Sequence, residues 1–330
     1  MTAISNSLVS VVVEGFNESR DLGAADATMA ALENQTYPTN RIEIILVGSH
    51  DQAENWKSRH ESDTSFHNVL AIGFEDIQYY DLKNQGMEYA TGDIIALTDS
   101  DVVPLPGWVE AFVQTINDGA DISVGPSLFG NFAHQNPRSL LMTMTASITW
   151  GWIFGKADAE TGLPVPRGFM DHNLAMRSDI ARQFKYETEF GRVIAAPLLF
   201  ANMTRQGKKF RSTPGQKAVH SFTWRYWMID LQYRYGYEVY HIRRLEKDYP
   251  HRWMAKTSFL EPIVTLIWHM LLDIPKWIRM NKMIGNSWGY CILILPIYIC
   301  ISFFGRICEM FGMYATYFWP KRMRMWVDSL

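Results

Sequence analysis

Cysteine does not occur before residue 291, and the 3 present, Cys291, Cys300 and Cys308, all lie in an apolar carboxyl-terminal stretch. That scarcity excludes a disulfide framework and any cysteine-based metal site, so these thiols read as small apolar residues. Internal repeats and low-complexity tracts are missing too, which excludes solenoid and fibrous architectures. The amino terminus, MTAISNSLVSVVVEGF, has no basic segment ahead of its apolar run. The expectation is therefore a body that is not secreted and stays in the cytoplasm.

Charge of one sign is scarce only in total. The formal net charge of -3 hides a division: residues 251–330 hold nine Lys/Arg against four Asp/Glu, leaving 22 against 30 for residues 1–250. An acidic body with a basic, aromatic tail argues against nucleic acid as a partner and for membrane lipids near the tail. With 330 residues and 48% hydrophobic content, the chain can bury a full core as one large domain with an appendage, or as two domains.

The first 130 residues alternate short β-branched runs with polar, helix-compatible segments. LVSVVVEGF (8–16), RIEIILVG (41–48), NVLAIGF (68–74) and DIIALTD (93–99) read as strands; the Ala-rich 22–34 and LKNQGMEYATG (82–92) read as helices. This order predicts an α/β fold with a mostly parallel sheet. Ligands of such sheets bind beyond the carboxyl ends of the strands, where Asn17, Gly48 and Asp99 to Asp101 would lie. Asp99 and Asp101 follow the apolar run at a spacing of two, so they would leave the strand on one face. Two carboxylates so close call for a cation, and a hard divalent ion, Mg²⁺ or Mn²⁺, is the usual partner of such oxygens. A solvated loop in which Asp99 or Ser100 caps the next helix is the plainer alternative.

Residues 131–250 are less regular and rich in Trp, Tyr, His and Arg. From Ser258 apolar residues recur at helical spacing, as in a helix lying in a membrane interface or packed on the body. Met283 to Gly305 then carries no charge, and at ~1.5 Å per residue it is long enough for a hydrocarbon core of about 30 Å. Basic residues on both sides of it favour a hairpin bent near Pro296 or Gly305, with Ile307 to Trp319 re-entrant or interfacial. The expected division is thus 1–250, split at 130, and 251–330 as membrane-anchoring helices.

Four blocks, VSVVVEGFNE (9–18), LENQTYPTNRIEIILV (32–47), LKNQGMEYATGDIIALTDSDVVPLPGWVEAFV (82–113) and HNLAMR (172–177), resemble the family 2 glycosyltransferases. The resemblance implies a GT-A fold and an inverting enzyme that uses a nucleotide-diphosphate sugar with Mg²⁺ or Mn²⁺. It implies that Asp101 binds the metal and that Asp99 holds the ribose or a metal-bound water. Gly15, Asn17, Glu18, Lys83 and Asn84 would line the nucleotide site. His220 stands where some members supply a histidine to the metal; a structural histidine is the alternative. Asn173 and Arg177 match the acceptor-side segment, while Trp224 and Arg225 would stack on a sugar or lie on the membrane.

Three departures stand out. Val47-Gly48-Ser49 replaces the usual acidic end of the second strand, and Glu14 stands where a proline is common. The acidic pair that supplies the general base aligns with Ala195 and Ala196, which cannot take a proton. Glu187 and Glu189 are the nearest replacements, with Asp171 a third candidate. The aromatic segment 224–244 lacks the Gln-x-x-Arg-Trp signature of polymerising members, which favours single transfer. The expected function is transfer of one sugar to a lipid-linked or cell-envelope glycan acceptor at the cytoplasmic membrane face. The competing reading is a degenerate member that binds without turnover.

Overall fold

The computed structural model of the chain describes residues 7–16, 24–60, 65–75, 77–130, 140–190 and 194–329. The amino-terminal half runs β1 (Val9–Glu14), α1 (Ala24–Glu33), β2 (Ile42–Ser49), α2 (His50–His60), β3 (Asn68–Phe74), α3 (Tyr79–Tyr89), β4 (Ile94–Asp99), β5 (Val102–Pro104), α4 (Trp108–Asn117), β6 (Ile122–Val124) and β7 (Ser127–Gly130). Next come α5 (Leu140–Trp150), β8 (Phe154–Ala157), β9 (Pro164–Pro166), β10 (Leu174–Arg177), α6 (Ser178–Gln183), α7 (Ala195–Arg205), β11 (Phe210–Ser212) and β12 (Ala218–Ser221). A π-helical stretch, Tyr226–Tyr233, leads into α8 (Arg234–Leu245), followed by α9 (Glu261–Ile284), α10 (Trp288–Phe318) and α11 (Pro320–Asp328).

The near-continuous apolar runs of β1, β2 and β4 form central strands because both faces of the sheet are covered. Val9, Val11 and Val13 face one core with Trp108 and Phe112, while Val12 faces the other with Ile95 and Leu97. The 7-stranded sheet has the order β11-β6-β10-β4-β1-β2-β3. β10 runs antiparallel to both its neighbours and the other pairings are parallel, as the sequence pattern predicts. The antiparallel strand brings the segment just before Leu174 to the carboxyl end of β4, because Leu174 pairs with Leu97. A second, 3-stranded sheet, β5-β12-β7, sets His220 opposite Val102 and Phe129.

The tail departs from the predicted hairpin. α10 continues through Pro296 and Gly305, and the reversal falls at Gly285, whose left-handed φ of 92° ends α9. Ser287 then caps α10 by accepting from the Tyr290 amide at 3.2 Å. Neither arm stands apart from the body: Trp277, Met280 and Tyr298 belong to the same core as Val12 and Leu97.

α10 approaches α8 backbone to backbone. A Cβ at Gly312 would lie 1.9 Å from the Tyr233 carbonyl oxygen, and one at Gly236 would lie 2.3 Å from the Glu309 carbonyl oxygen. Glycine usually weakens a helix relative to alanine, but here it permits the contact. Gly312→Ala and Gly236→Ala should each lower stability by about 1–3 kcal/mol or more through overpacking. Gly289→Ala, where an added Cβ meets nothing closer than 4.0 Å, should not; thermal denaturation in detergent checks the contrast.

Candidate functional site

The site is organised where β4 ends. Asp99 continues the Ile95–Leu97 face and meets α3, whose Lys83 and Tyr79 were placed there by helical periodicity. The Lys83 ammonium bonds one Asp99 oxygen and the Tyr79 hydroxyl donates to the other at 2.9 Å. Lys83 has no exposed surface, and it also donates to the Asp171 carbonyl at 3.0 Å. Burial, the largest influence, pushes the Asp99 carboxyl up, but Lys83, His172 and His220 together outweigh it and hold the pKa at about 2. Glu14, also buried, reinforces the positive charge on Lys83.

Three ligand atoms, from Asp99, His172 and His220, lie within 4.8 Å of one another. Asp101 adjoins this cluster, 3.6 Å from His220 Nε2. Burial first, then His220, lowers the His172 pKa to about 3, so the imidazole is neutral and its lone pair is available to a metal. The residue types fit a divalent transition ion, since buried neutral imidazoles and carboxylates are its ordinary donors. His172 Nε2 lies 2.9 Å from Ser127 Oγ, and His220 Nδ1 2.9 Å from the Ser221 carbonyl, contacts that orient both rings.

A cavity of about 390 Å³ opens on this cluster. Trp150, Phe169, Phe200, Tyr226 and Tyr235 supply apolar wall, while Asp171, Arg234 and Glu238 supply charge. Burial is the main cause that raises the Glu238 pKa to about 8, with Asp171 adding to it and Arg234 opposing. Glu246, also on the wall, is bound by Arg205 at 2.8 Å.

The structure distributes the sequence candidates unevenly. Asp99, Asp101 and His220 converge, and Asp171 lines the cavity. Asn17 and Glu18 lie outside the described residues. Glu187 and Glu189 are exposed and do not line the cavity. Ala196 lines the wall where the family's acidic pair was aligned. Arg177 is corrected outright: β10 is antiparallel, so Arg177 pairs with Ile94 at the far end of β4 and binds Asp121 and Asp179. Asn173 is fully buried and structural, accepting from Trp108 Nε1 at 2.7 Å and donating to the Pro126 and Gln216 carbonyls. Trp224 and Arg225 are exposed and lie off the cavity wall.

Lys83, expected to line the nucleotide site, is wholly buried beneath Asp99, and Asn84 clamps Tyr186 through both main-chain groups of that tyrosine. Gly15 has a packing reason: an added Cβ would lie 2.3 Å from Trp56. Trp56 and Gln52 likewise fill the space beside Gly48, 2.8 and 2.5 Å from a Cβ there, which explains why the acid common at this position is absent. Two site residues escaped the sequence. His172 stands in the HNLAMR block, but only antiparallel pairing brings it to Asp99; Glu238 is hidden in an aromatic run.

Removing the Lys83 charge leaves Asp99 buried without its cation. Lys83→Met should cost about 3–5 kcal/mol, and Lys83→Met with Asp99→Asn should recover part of that loss; chemical denaturation of the single and double variants measures the coupling.

The sequence model of glycosyl transferase family 2 matches residues 10–184. Glycosyltransferase AglE of Haloferax volcanii is 32% identical over 120 residues, covering 36% of this chain and 38% of its own length. Glucosyl-dolichyl phosphate glucuronosyltransferase of the same organism is 21% identical over 272 residues, 78% of this chain and 83% of its own. Among solved structures, the mannosyltransferase PcManGT of Pyrobaculum calidifontis, in complex with GDP-Man and Mn²⁺, superposes with a TM-score of 0.58 over 96% of this chain and 88% of its own, at 14% identity. At that identity the likeness is one of fold.

Proposed function

Since the chain belongs to glycosyl transferase family 2 and is a glycosyltransferase of GT-A fold, we propose that it moves a single sugar, with inversion, from a nucleotide-diphosphate sugar to a lipid-linked acceptor at a membrane. The observation that carries this reading is the Asp99–His172–His220 cluster at the end of β4, opening on a cavity that Asp171 also lines. The name of the relative that covers most of both chains, a glucosyl-dolichyl phosphate glucuronosyltransferase, supports the lipid-linked class of acceptor.

Asp99, His172 and His220, with Asp101 beside them, would hold a divalent metal. When bound, it would neutralise charge on the departing nucleotide diphosphate. Imidazoles mixed with carboxylates suit Mn²⁺ better than Mg²⁺, which prefers oxygen alone. The buried Lys83 keeps Asp99 ionised and in place for that role.

In the transfer, the acceptor hydroxyl oxygen bonds to the anomeric carbon on the face opposite the diphosphate. The bond from that carbon to the diphosphate oxygen breaks and its electron pair leaves with the nucleotide. The hydroxyl proton passes to Asp171, the cavity carboxylate nearest the cluster, with its oxygen 4.0 Å from His172 Nδ1. This assigns to Asp171 the work of the acids replaced by Ala195 and Ala196.

Among the described residues, two helices are long and apolar enough to cross a membrane. Their shape supports an arrangement along its surface: α10 exposes Ile292, Leu293, Phe303, Phe304 and Phe311, while Tyr298, Arg306 and Met313 are buried on the other side. The basic Lys321, Arg322 and Arg324 that follow favour the cytoplasmic face. Residues 1–250 would then be the catalytic body and 251–330 its attachment, which keeps the cavity close to lipid substrates.

The test is transfer by the full chain in detergent or vesicles. Chelation should abolish turnover and Mn²⁺ restore it, with His172→Ala raising the Mn²⁺ requirement about 10- to 100-fold. Asp171→Asn should lower turnover by about 10²- to 10⁴-fold while donor-induced thermal stabilisation persists. Activity indifferent to chelator sinks the metal role, and unchanged turnover in Asp171→Asn sinks the base. Donor binding without transfer to any acceptor would return the degenerate reading.

A further inference from the structure

Arg234 opens α8; the residue is 9% exposed and lines the cavity. Among the described residues its guanidinium makes no hydrogen bond or ion pair, and its Nε is buried with no partner. Two other buried arginines have acidic partners: Arg243, whose Nε is likewise unpartnered, meets Glu261 and Thr265 through its terminal nitrogen, and Arg306 meets Asp273 and Glu309. A guanidinium cannot lose its proton at any ordinary pH, so burial without an anion is unfavourable and calls for a ligand that supplies one.

The neighbouring acid does not fill that role. Glu238, one turn along α8, lies beyond ion-pair distance, and its carboxyl is largely protonated at neutral pH because burial pushes its pKa up to about 8. It leaves the arginine charge uncompensated and can itself donate a hydrogen bond. The surrounding Tyr235, Tyr226 and Leu231 are poor in competing charge, which strengthens any interaction with an anion.

Position narrows the anion further. The Tyr233 carbonyl next to Arg234 touches Gly312 of α10, and Gly236 touches Glu309 and Met313. Arg234 therefore stands at the seam between the cavity and the helix that exposes Phe303, Phe304 and Phe311. The donor diphosphate belongs at the other charged locus, the Asp99–His172–His220 cluster. A second oxyanion delivered from the side of the apolar helices is the phosphate of a lipid-linked substrate, which a guanidinium can bind bidentately.

We propose that Arg234 is the anchor for an oxyanion in the cavity, the phosphate that joins the lipid to the sugar of the acceptor. The inference rests on the lipid-linked reading above and adds the chemical group recognised and the residue that recognises it. A carboxylate on the donor sugar is the other source of the same chemistry.

The test compares wild type, Arg234→Lys and Arg234→Met. With glucosyl-dolichyl phosphate as acceptor, Arg234→Met should raise the acceptor KM at least tenfold and Arg234→Lys less. With octyl glucoside, which has no phosphate, the loss in the two variants should be much smaller than with glucosyl-dolichyl phosphate. Thermal stabilisation by geranyl phosphate should appear in wild type and vanish in Arg234→Met, while the Tm of the unliganded variant stays equal or rises because no internal partner is lost. An unchanged KM, an equal loss with octyl glucoside, or a lower Tm without ligand would each overturn the anchor. A defect confined to uronic-acid donors, absent with neutral hexose donors, would move the anion to the donor and overturn the acceptor assignment. If wild type uses neither acceptor, the lipid-linked reading fails, and the geranyl phosphate comparison still decides whether Arg234 binds phosphate.

Discussion

A lysine with no exposed surface, bonded to an aspartate that is almost as deeply buried, is the constraint on which the site depends. An unpaired charge at either position would be severely unfavourable. The pair therefore forces α3 to pack with Lys83 over the end of β4 and prevents Asp99 from turning back to water. Lys83 also donates to the Asp171 carbonyl, which ties the loop before β10 to the same point. His172 and the Asp171 carboxylate follow from that tie. One buried cation thus keeps Asp99 ionised and sets the geometry of residues more than seventy positions further along the chain.

A second buried network does for the tail what this pair does for the site. Arg306 of α10 makes two bonds to Asp273 of α9, at 2.8 and 2.7 Å, a third to Glu309 at 2.7 Å and a fourth to the Ile148 carbonyl of α5 at 3.0 Å. Lys276 and His269 complete it through Asp273 and Glu309. Apolar packing between two such helices is non-directional, so by itself it would permit them to slide or rotate. Charged hydrogen bonds with fixed partners set one register. That register brings Gly312 and Gly236 into backbone contact and carries α8, with Arg234 and Glu238, against the cavity. The apolar tail and the far wall of the site are therefore one construction.

Legibility followed the range of the interaction. The parallel sheet was readable because burial on both faces demands unbroken β-branched runs, and Val9 to Val13, Ile42 to Val47 and Ile94 to Leu97 are such runs. Asp99 and Asp101 were readable because a spacing of two at a strand end sends both carboxylates to one side, where they repel unless a cation joins them. The role of Glu14 beside Lys83 and that of Trp56 against Gly15 and Gly48 were not, since each joins residues from separate elements. Arg177 was misplaced for a related reason: motif order along the chain does not report strand direction, and one antiparallel strand reverses which end of the block faces the ligand.

The sequence by itself determined the α/β class, the family, the place of the acidic pair and the apolar character of the last eighty or so residues, because periodicity, short motifs and composition are local properties. Only the tertiary structure decided that His172 completes a cluster with Asp99 and His220, that Asp171 lines the cavity while Glu187 and Glu189 do not, and that the chain reverses at Gly285. It also decided that Arg234 is buried with no anionic partner among the described residues. Those outcomes depend on which distant surfaces exclude water together, and burial of that kind is a property of the packed chain rather than of any stretch within it.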